Sequence, residues 1–199
     1  MTVKTILVTM RQDYIKDYGE YRDSIDNTWF KFLHQCNLTP CLLPNDSMLA
    51  EQIIQNTNFD GILLTGGGEY DTKLSDERSK IEHKLLSIAL TYKIPLIGVC
   101  RGMQAIQQYF GMQLYPVQGQ VTPTQSIKFN NQIVQVNSYH TLGTTQTNQD
   151  LIVKAIGLDN IIKSVSHISA PIEGIMWHPE RNVNFSEIDI QLFKSRYNQ

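Results

Sequence analysis

The sequence predicts an α/β fold in which a mostly parallel sheet carries helices on both faces and continues into an antiparallel strand extension. Two observations support this prediction. Over the first 110 residues, short apolar runs alternate four times with segments of helical periodicity, which is typical of a parallel sheet. From residue 117 onward, strand-like runs follow one another through short turns. A chain of 199 residues suits a single domain over 1–199 with a sizeable core.

The first half of the chain supplies the predicted parallel layer. Apolar and β-branched runs predict strands over 3–9, 39–46, 60–68 and 94–99. Apolar residues at helical spacing predict helices over 21–36, 48–56, 76–92 and 102–110. Ser47 is the predicted N-cap of the second helix, with Glu51 placed to assist it.

The second half supplies the predicted extension and a closing helix. Strands are predicted over 117–139, 151–157, 161–169 and 173–177, and a helix over 186–197. Hairpin turns are expected at Asn130–Asn131 and Asp159–Asn160, because asparagine tolerates the left-handed backbone conformation.

Composition excludes several classes of function. Seventeen basic and nineteen acidic residues give a net charge of -2, which offers no basic surface for nucleic acid or an anionic membrane. No apolar run reaches the roughly 18 residues that a membrane span needs. The apolar N-terminus is followed by polar residues without a cleavage site, so it is interpreted as a strand rather than a signal peptide.

The predicted strand over 94–99 leads directly into Cys100, which is flanked by glycines in the pattern G-x-C-x-G. This pattern is typical of a nucleophile elbow, a sharp strand-to-helix turn that presents a reactive side chain. A Cβ at Gly98 or Gly102 would clash with the adjacent segments of the main chain. The helix N-terminus favours the thiolate, and the N–H of Arg101 would face an oxyanion.

The alternative for Cys100 is a buried structural cysteine at the end of a strand. Cys36 and Cys41 have no flanking glycines and are interpreted as packing residues. Three cysteines form an odd, sparse set that argues against a disulfide framework. We therefore expect a reducing compartment, the cytoplasm.

A cysteine nucleophile needs a base, and the base needs an orienting group. His178 stands at the end of an apolar strand in GIMWHPE, followed by a proline and Glu180. Glu180 is placed to hold one imidazole nitrogen while the other faces Cys100. The alternative is that His178 is an ordinary strand-end residue.

A third motif, LLTGGGEYD over 63–71, places three glycines after a strand. It lacks the spacing of nucleotide-phosphate loops, so phosphate binding is the weaker interpretation. At the carboxyl edge of a parallel sheet its free amides are suited to donate to an oxyanion, opposite Arg101.

Together GGG, GVCRGMQ and GIMWHPE, in this order, resemble the class I glutamine amidotransferase family over nearly the whole chain. The resemblance implies a flavodoxin-like fold and a triad of Cys100 as nucleophile, His178 as base and Glu180 as orienting group. It implies an oxyanion hole formed by Gly67 and the amide of Arg101.

The resemblance also implies residues that contact the substrate. Gln104 is expected at the glutamyl group, and Gly66 is expected to contact the substrate. The motif VNSYH adds Asn137, Ser138, Tyr139 and His140, of which His140 is expected to orient the loop. No cofactor and no metal are implied.

Within the family, DERSKIEHKLL and VNSYH resemble the γ-glutamyl hydrolase branch, whose members cleave γ-glutamyl amides such as γ-glutamyl-aminobutyrate. The N-terminal YGEYRDSIDNTWFKFL is similar to a short-chain subgroup that includes hydrolases of γ-glutamyl-CDP-amidate in the synthesis of bacterial surface phosphoramidates. The resemblance therefore implies a cysteine-dependent hydrolase that releases glutamate from a γ-glutamyl amide through a γ-glutamyl thioester.

Other functions remain open. The chain is alternatively a glutaminase subunit that delivers ammonia to a partner synthetase, a γ-glutamyl-aminobutyrate-type hydrolase, or a non-catalytic binding module. Only the first of these requires a synthetase partner, and a homodimer is left open. Otherwise the expected partner is the small-molecule substrate.

Three arginines are candidates for binding negative charge on the leaving group: Arg11, Arg22 and Arg78. The alternative is that these side chains are solvated or pair with Asp13, Asp23 and Asp76.

The sequence departs from the subgroup at several positions. Gln120 and Gln125 stand where histidines are expected, and Asn160 and Lys163 stand where related chains often have glycine and glutamate. None of these positions belongs to the implied triad.

Overall fold

The computed structural model describes residues 3–198. Strands are found at β1 (Lys4–Thr9), β2 (Arg11–Ile15), β3 (Glu20–Ser24), β4 (Leu38–Leu43), β5 (Gly61–Leu64), β6 (Leu96–Val99), β7 (Tyr115–Pro116), β8 (Val121–Phe129), β9 (Gln132–Tyr139), β10 (Leu142–Gly143), β11 (Leu151–Gly157), β12 (Ile162–His167) and β13 (Ile172–Ile175). The α-helices are α1 (Thr28–Gln35), α2 (Ser47–Asn56), α3 (Glu77–Tyr92), α4 (Arg101–Tyr109) and α5 (Glu187–Tyr197). A 3-10 turn covers Pro179–Arg181.

The main sheet has nine strands in the order β4-β1-β5-β6-β13-β12-β11-β8-β9. The pairs along β4-β1-β5-β6-β13 are all parallel, and those from β13 to β9 are all antiparallel. This arrangement confirms the predicted parallel layer with its antiparallel extension. No helix within residues 3–198 is long and apolar enough to cross a membrane.

Apolar side chains cover both faces of the sheet. On one face α1 and α5 contribute Trp29, Phe32 and Phe193, whose rings pack edge to face or tilted. On the other face α2, α3 and α4 contribute a second cluster around Leu85 and Ile106. Helices therefore lie on both faces, as the sequence predicts.

The first predicted helix is wrong over its N-terminal part. Residues 20–24 form β3, which pairs with β2 in an exposed hairpin closed through Gly19 at φ +64°. The helix begins only at Thr28, because the Asp26 carboxylate accepts hydrogen bonds from its N–H and hydroxyl at 2.9 and 2.8 Å. Sequence analysis missed this hairpin.

The N-cap prediction for α2 is also wrong, by one residue. Asp46 caps the helix by accepting from the Leu49 N–H at 2.8 Å. Ser47 instead donates to Glu77 of α3, and Glu51 pairs with Lys84. The predicted Asn130–Asn131 turn is confirmed, since both residues have positive φ between β8 and β9.

The junction of β6 and α4 is packed against its neighbours without free space. A Cβ on Gly98 would lie 2.5 Å from the carbonyl group of Gly102. A Cβ on Gly102 would lie 2.3 Å from the carbonyl oxygen of Leu64 in β5. Both obstacles are main-chain atoms, so the clash expected from the sequence is confirmed, and β5, β6 and α4 must stay this close.

We expect Gly102→Ala to lower the free energy of unfolding by about 3 kcal/mol or more, because overpacking against main chain has no inexpensive relaxation. Urea unfolding measures the change. The matched control is Gly111→Ala, whose methyl group meets nothing within 4 Å but must accept φ +79°. The control should lose only about 1–2 kcal/mol, and an equal loss in both variants would contradict the packing argument.

Candidate functional site

Cys100 sits at the sharp turn between β6 and α4. Its backbone has φ +52° and ψ -103°, a conformation that costs about 1–3 kcal/mol for a residue with a Cβ. Its N–H donates to the carbonyl of Ile175 at 2.8 Å, which fastens the turn to β13. The thiol is 6% exposed. The strained backbone is therefore held by its surroundings, as in a nucleophile elbow.

His178 follows β13, the parallel neighbour of β6, so both residues lie at the same edge of the sheet. The Nδ1 atom of His178 is 2.7 Å from Glu180 Oε1, and both side chains are buried. Asn137 holds the main chain of His178 from both sides: its Oδ1 accepts from the N–H at 2.8 Å and its Nδ2 donates to the carbonyl at 2.7 Å. The imidazole therefore has a fixed position and orientation.

The imidazole and the Cys100 side chain converge at Gly66. A Cβ on Gly66 would lie 2.6 Å from His178 Cε1 and 3.5 Å from Cys100 Cβ, so only glycine leaves room for the ring. Burial alone would lower the pKa of His178, but the adjacent Cys100 side chain and the hydrogen-bonded Glu180 carboxylate raise it to about 9. A pKa above 7 favours the imidazolium form of the ring at neutral pH.

Arg78 of α3 fixes the glycine turn after β5. Its guanidinium donates to the carbonyls of Thr65 at 2.7 Å, Gly66 at 3.1 Å and Gly67 at 2.7 Å. A trans peptide points its N–H away from its carbonyl, and none of the peptide bonds among the described residues is cis. The three N–H groups that follow these carbonyls therefore point away from Arg78.

Arg101 contributes to the same region with both its main chain and its side chain. As the first residue of α4, it has an N–H that no carbonyl of the helix can accept. Its guanidinium donates to Ser79 Oγ at 3.0 Å and to the Glu69 carbonyl at 3.1 Å. It also pairs with Glu82, which binds Arg78 at 2.9 Å as well. One buried carboxylate thus links the glycine turn to the elbow.

The sequence did not predict that Arg78, Arg101 and Glu82 form a buried network that supports the main chain. Sequence analysis treated Arg78 as a candidate for substrate charge, but the side chain is 5% exposed and bonded to main chain, so this expectation is wrong. Arg78 and Glu82 stand four residues apart on a predicted helix, and that spacing was the available signal.

Two cavities of about 260 Å³ each flank His178. The first, which we name the thiol-side cavity, is lined by Cys100, Gln104, Tyr139, His140 and their neighbours. The second, the hairpin-side cavity, is lined by Arg11, Asp13, Asp26, Trp29, Glu180 and their neighbours. The two share Gly67, His178 and Arg181.

Only some of the predicted substrate contacts line the thiol-side cavity. Gln104, Tyr139 and His140 line the thiol-side cavity. Asn137 and Ser138 do not belong to its described lining, because Asn137 holds His178 and Ser138 donates to the Gln120 carbonyl at 2.7 Å.

The two exposed arginines are paired within the hairpin. Arg11 lines the hairpin-side cavity and pairs with Asp13 at 2.5 Å. Arg22 pairs with Glu20 and lies over the ring of Tyr18, on the outer part of the hairpin. Arg181, which the sequence did not single out, lies over Tyr139 and lines both cavities.

Comparisons with known proteins identify the family and the fold. The sequence model of the family "Glutamine amidotransferase class-I" matches residues 15–192, and the chain therefore belongs to the class I glutamine amidotransferase family. A glutamine amidotransferase from Thermotoga maritima superposes with a TM-score of 0.66 at 12% identity, covering 100% of this chain and 85% of that one. The flavodoxin-like fold expected from the resemblance is thereby confirmed.

Two curated relatives are γ-glutamyl hydrolases. The chain is 29% identical over 192 residues to the gamma-glutamyl-CDP-amidate hydrolase of Campylobacter jejuni, with 92% of this chain and 93% of the relative covered. It is 27% identical over 226 residues to the gamma-glutamyl-gamma-aminobutyrate hydrolase of Escherichia coli O157:H7, with 92% and 87% covered. The family is thus one of enzymes of the glutamine amidotransferase and γ-glutamyl hydrolase type.

The raised pKa of His178 predicts a pH-dependent stability. A folded-state pKa of about 9 against 6.5 in the unfolded chain stabilises the fold fully below pH 6.5, and this contribution is lost as the pH rises towards 9. Its size is up to about 3 kcal/mol. In Glu180→Gln the fall in unfolding free energy between pH 6 and pH 9, measured with urea, should be at least about 1 kcal/mol smaller.

The matched control for this measurement is Glu187→Gln, on the exposed first turn of α5. It should retain the pH dependence of the unmodified protein. The linkage argument is wrong if Glu180→Gln and Glu187→Gln lose stability in parallel over this pH range.

Proposed function

We propose that this protein is a cysteine-dependent hydrolase that cleaves a γ-glutamyl amide through a γ-glutamyl thioester and releases glutamate. The observation that carries the proposal is the convergence of the Cys100 side chain and the His178–Glu180 pair at the Gly66 turn, with Cys100 and His178 lining one cavity. A nucleophile, a base and an orienting acid in this arrangement are suited to acyl transfer.

In the proposed reaction the Cys100 thiolate attacks the γ-carbonyl carbon while His178 is an imidazolium. The carbonyl oxygen becomes an oxyanion, and its collapse breaks the carbon–nitrogen bond as His178 Nε2 gives its proton to the leaving nitrogen. Water then attacks the thioester and gives a proton to His178, and the second collapse frees glutamate and restores the thiolate.

The proposed oxyanion donors are the N–H of Arg101 and the N–H groups of the glycine turn, principally that of Gly67. Arg78 supports this assignment, because it binds the carbonyls of the turn and leaves the N–H groups on the opposite side. Donors fixed before the reaction need no reorganisation when the negative charge develops.

We assign the glutamyl group to the thiol-side cavity, beside Gln104, and the leaving group to the hairpin-side cavity. The second assignment follows from His178, which faces both cavities and must reach the leaving nitrogen. Arg11 and Arg181 line the hairpin-side cavity together with the carboxylates of Asp13, Asp26 and Glu180, and Arg11 pairs with Asp13. The similarity to the Campylobacter jejuni enzyme favours γ-glutamyl-CDP-amidate as the substrate.

The proposal is tested with γ-glutamyl-CDP-amidate, γ-glutamyl-γ-aminobutyrate and glutamine, by following glutamate release without any partner protein. We expect the highest kcat/KM for the nucleotide amidate. Cys100→Ala should lower kcat by about 10³-fold or more while substrate still binds, because it removes the nucleophile alone.

The matched control is Cys41→Ala, at a half-buried cysteine on β4. It should retain the activity of the unmodified protein. Near-normal turnover by Cys100→Ala would overturn the mechanism. Glutamate release from glutamine alone, and only with a synthetase present, would favour the ammonia-delivering subunit instead.

Arg78 provides a separate test of the oxyanion assignment. Arg78→Met should lower kcat by on the order of 10²-fold with little change in KM. The substitution removes the side chain that holds the turn, so the N–H groups of the turn are no longer directed at the oxyanion. The matched control is Lys80→Met on the exposed face of the same helix, where Lys80 pairs with Glu77. If Arg78→Met keeps both its kcat and its folded state, the turn does not depend on this anchor.

A further inference from the structure

Lys163 is a buried cation at the edge of the candidate site. It immediately follows Ile162, the first residue of β12, which pairs antiparallel with β13, so it lies where β13 ends and the chain continues to His178. Its carbonyl accepts from the Met176 N–H at 2.8 Å. The side chain is 2% exposed, and no carboxylate among the described residues contacts the ammonium directly.

The ammonium is bound by neutral groups. Its Nζ donates to Gln120 Oε1 and lies 2.7 Å from His140 Nε2. Gln120 links the ammonium indirectly to a carboxylate, because its Nε2 donates to Asp159 Oδ2 at 2.7 Å. Burial lowers the pKa of Lys163 to about 8, while Asp159 and Cys100 raise it, so the ammonium is mainly protonated at neutral pH.

Lys163 and the Leu142 carbonyl together fix which nitrogen of His140 carries the proton. An ammonium has only donors, so His140 Nε2 must accept. The proton of the neutral ring is then on Nδ1, which lies 2.9 Å from the Leu142 carbonyl and donates to it. Burial and the adjacent ammonium lower the pKa of His140 to about 4, which agrees with a neutral ring.

The Leu142 carbonyl in turn orients Gln104. It accepts from Gln104 Nε2 at 3.2 Å as well as from His140. With its amide nitrogen so engaged, Gln104 turns Oε1 away from Leu142, and the residue lines the thiol-side cavity. A carbonyl-type acceptor there is suited to an ammonium donor, such as the α-ammonium of a glutamyl group.

We propose that Lys163 is a positioning residue that acts through His140 and the Leu142 carbonyl to hold Gln104 with its acceptor towards the glutamyl group. This inference rests on the proposed function. It also accounts for the departures from the subgroup at Gln120 and Lys163, since these two residues contact one another in a single hydrogen-bonded set. Gln125 belongs to the same set through its bond to Gln120 at 2.8 Å.

A double-mutant cycle in the full chain tests the route through Gln104. Lys163→Met should raise KM for the γ-glutamyl substrate about 10-fold with kcat changed less than about 3-fold, because ground-state binding is affected. Gln104→Ala should do the same. If Lys163 acts through Gln104, the double variant should have the KM of Gln104→Ala alone.

Two results of the cycle would overturn the proposal. One is an unchanged KM in Lys163→Met, and the other is a double variant whose KM rises by the product of the single effects. Lys154→Met, at an exposed lysine of β11, is the matched control and should leave KM unchanged.

Histidine NMR tests the proposal without substrate and without a variant at Lys163. In ¹⁵N-histidine-labelled protein at pH 7, we expect His140, identified as the signal lost in His140→Asn, to be neutral with its proton on Nδ1. An Nε2–H tautomer or an imidazolium would overturn the proposal even if Lys163→Met failed to fold. Absence of glutamate release from unmodified protein would instead refute the proposed function, and the two failures are thereby distinguished.

Discussion

The parallel pairing of β6 with β13 is the constraint on which the candidate site depends. Parallel neighbours end at the same edge of a sheet, so Cys100 and His178 meet there although they are distant in the chain. The bond from the Cys100 N–H to the Ile175 carbonyl fastens the two strands where both end. On the other side of β13, the antiparallel register of β12 brings Lys163 to this edge. One three-stranded register therefore sets the positions of thiol, imidazole and buried ammonium.

Three buried cationic side chains support the site in two different electrostatic environments. Arg78 and Arg101 share Glu82, so their burial is offset by a carboxylate, whereas Lys163 is bound by neutral acceptors. Buried ion pairs contribute little net stability, because desolvation cancels most of the attraction. Each of these cations instead acts through hydrogen bonds, directly or by way of one histidine, on main-chain carbonyls beside the cavity. Their contribution is thus to geometry, since a carbonyl held in one direction fixes the direction of the neighbouring N–H.

Sequence reasoning succeeded where the signal is local. The elbow at Cys100 and the alternation of strands and helices follow from spacing within a few residues, and the structure has the predicted sheet. It failed where the interacting residues are distant in the sequence. Arg78 binds carbonyls of a turn that precedes its helix, and no residue next to Lys163 in the sequence indicates its contact with His140. Sequence reasoning also failed where two local signals compete for the same segment. Asp46 and Ser47 are both good caps, and aromatic residues in 21–36 fit a strand as well as a helix.

The missed hairpin β2–β3 lies on the side of His178 that we assign to the leaving group. The glutamyl side is built from the elbow, the strand ends and buried hydrogen bonds, so few substitutions are compatible with it. The hairpin is exposed along most of both strands and is closed by its own ion pairs, such as that of Arg11 with Asp13. Exposed loops and hairpins tolerate sequence change better than packed strands. With the assignment that we propose, substitutions in the hairpin alter the leaving-group cavity and leave the glutamyl cavity intact, because the two cavities are lined largely by different parts of the chain.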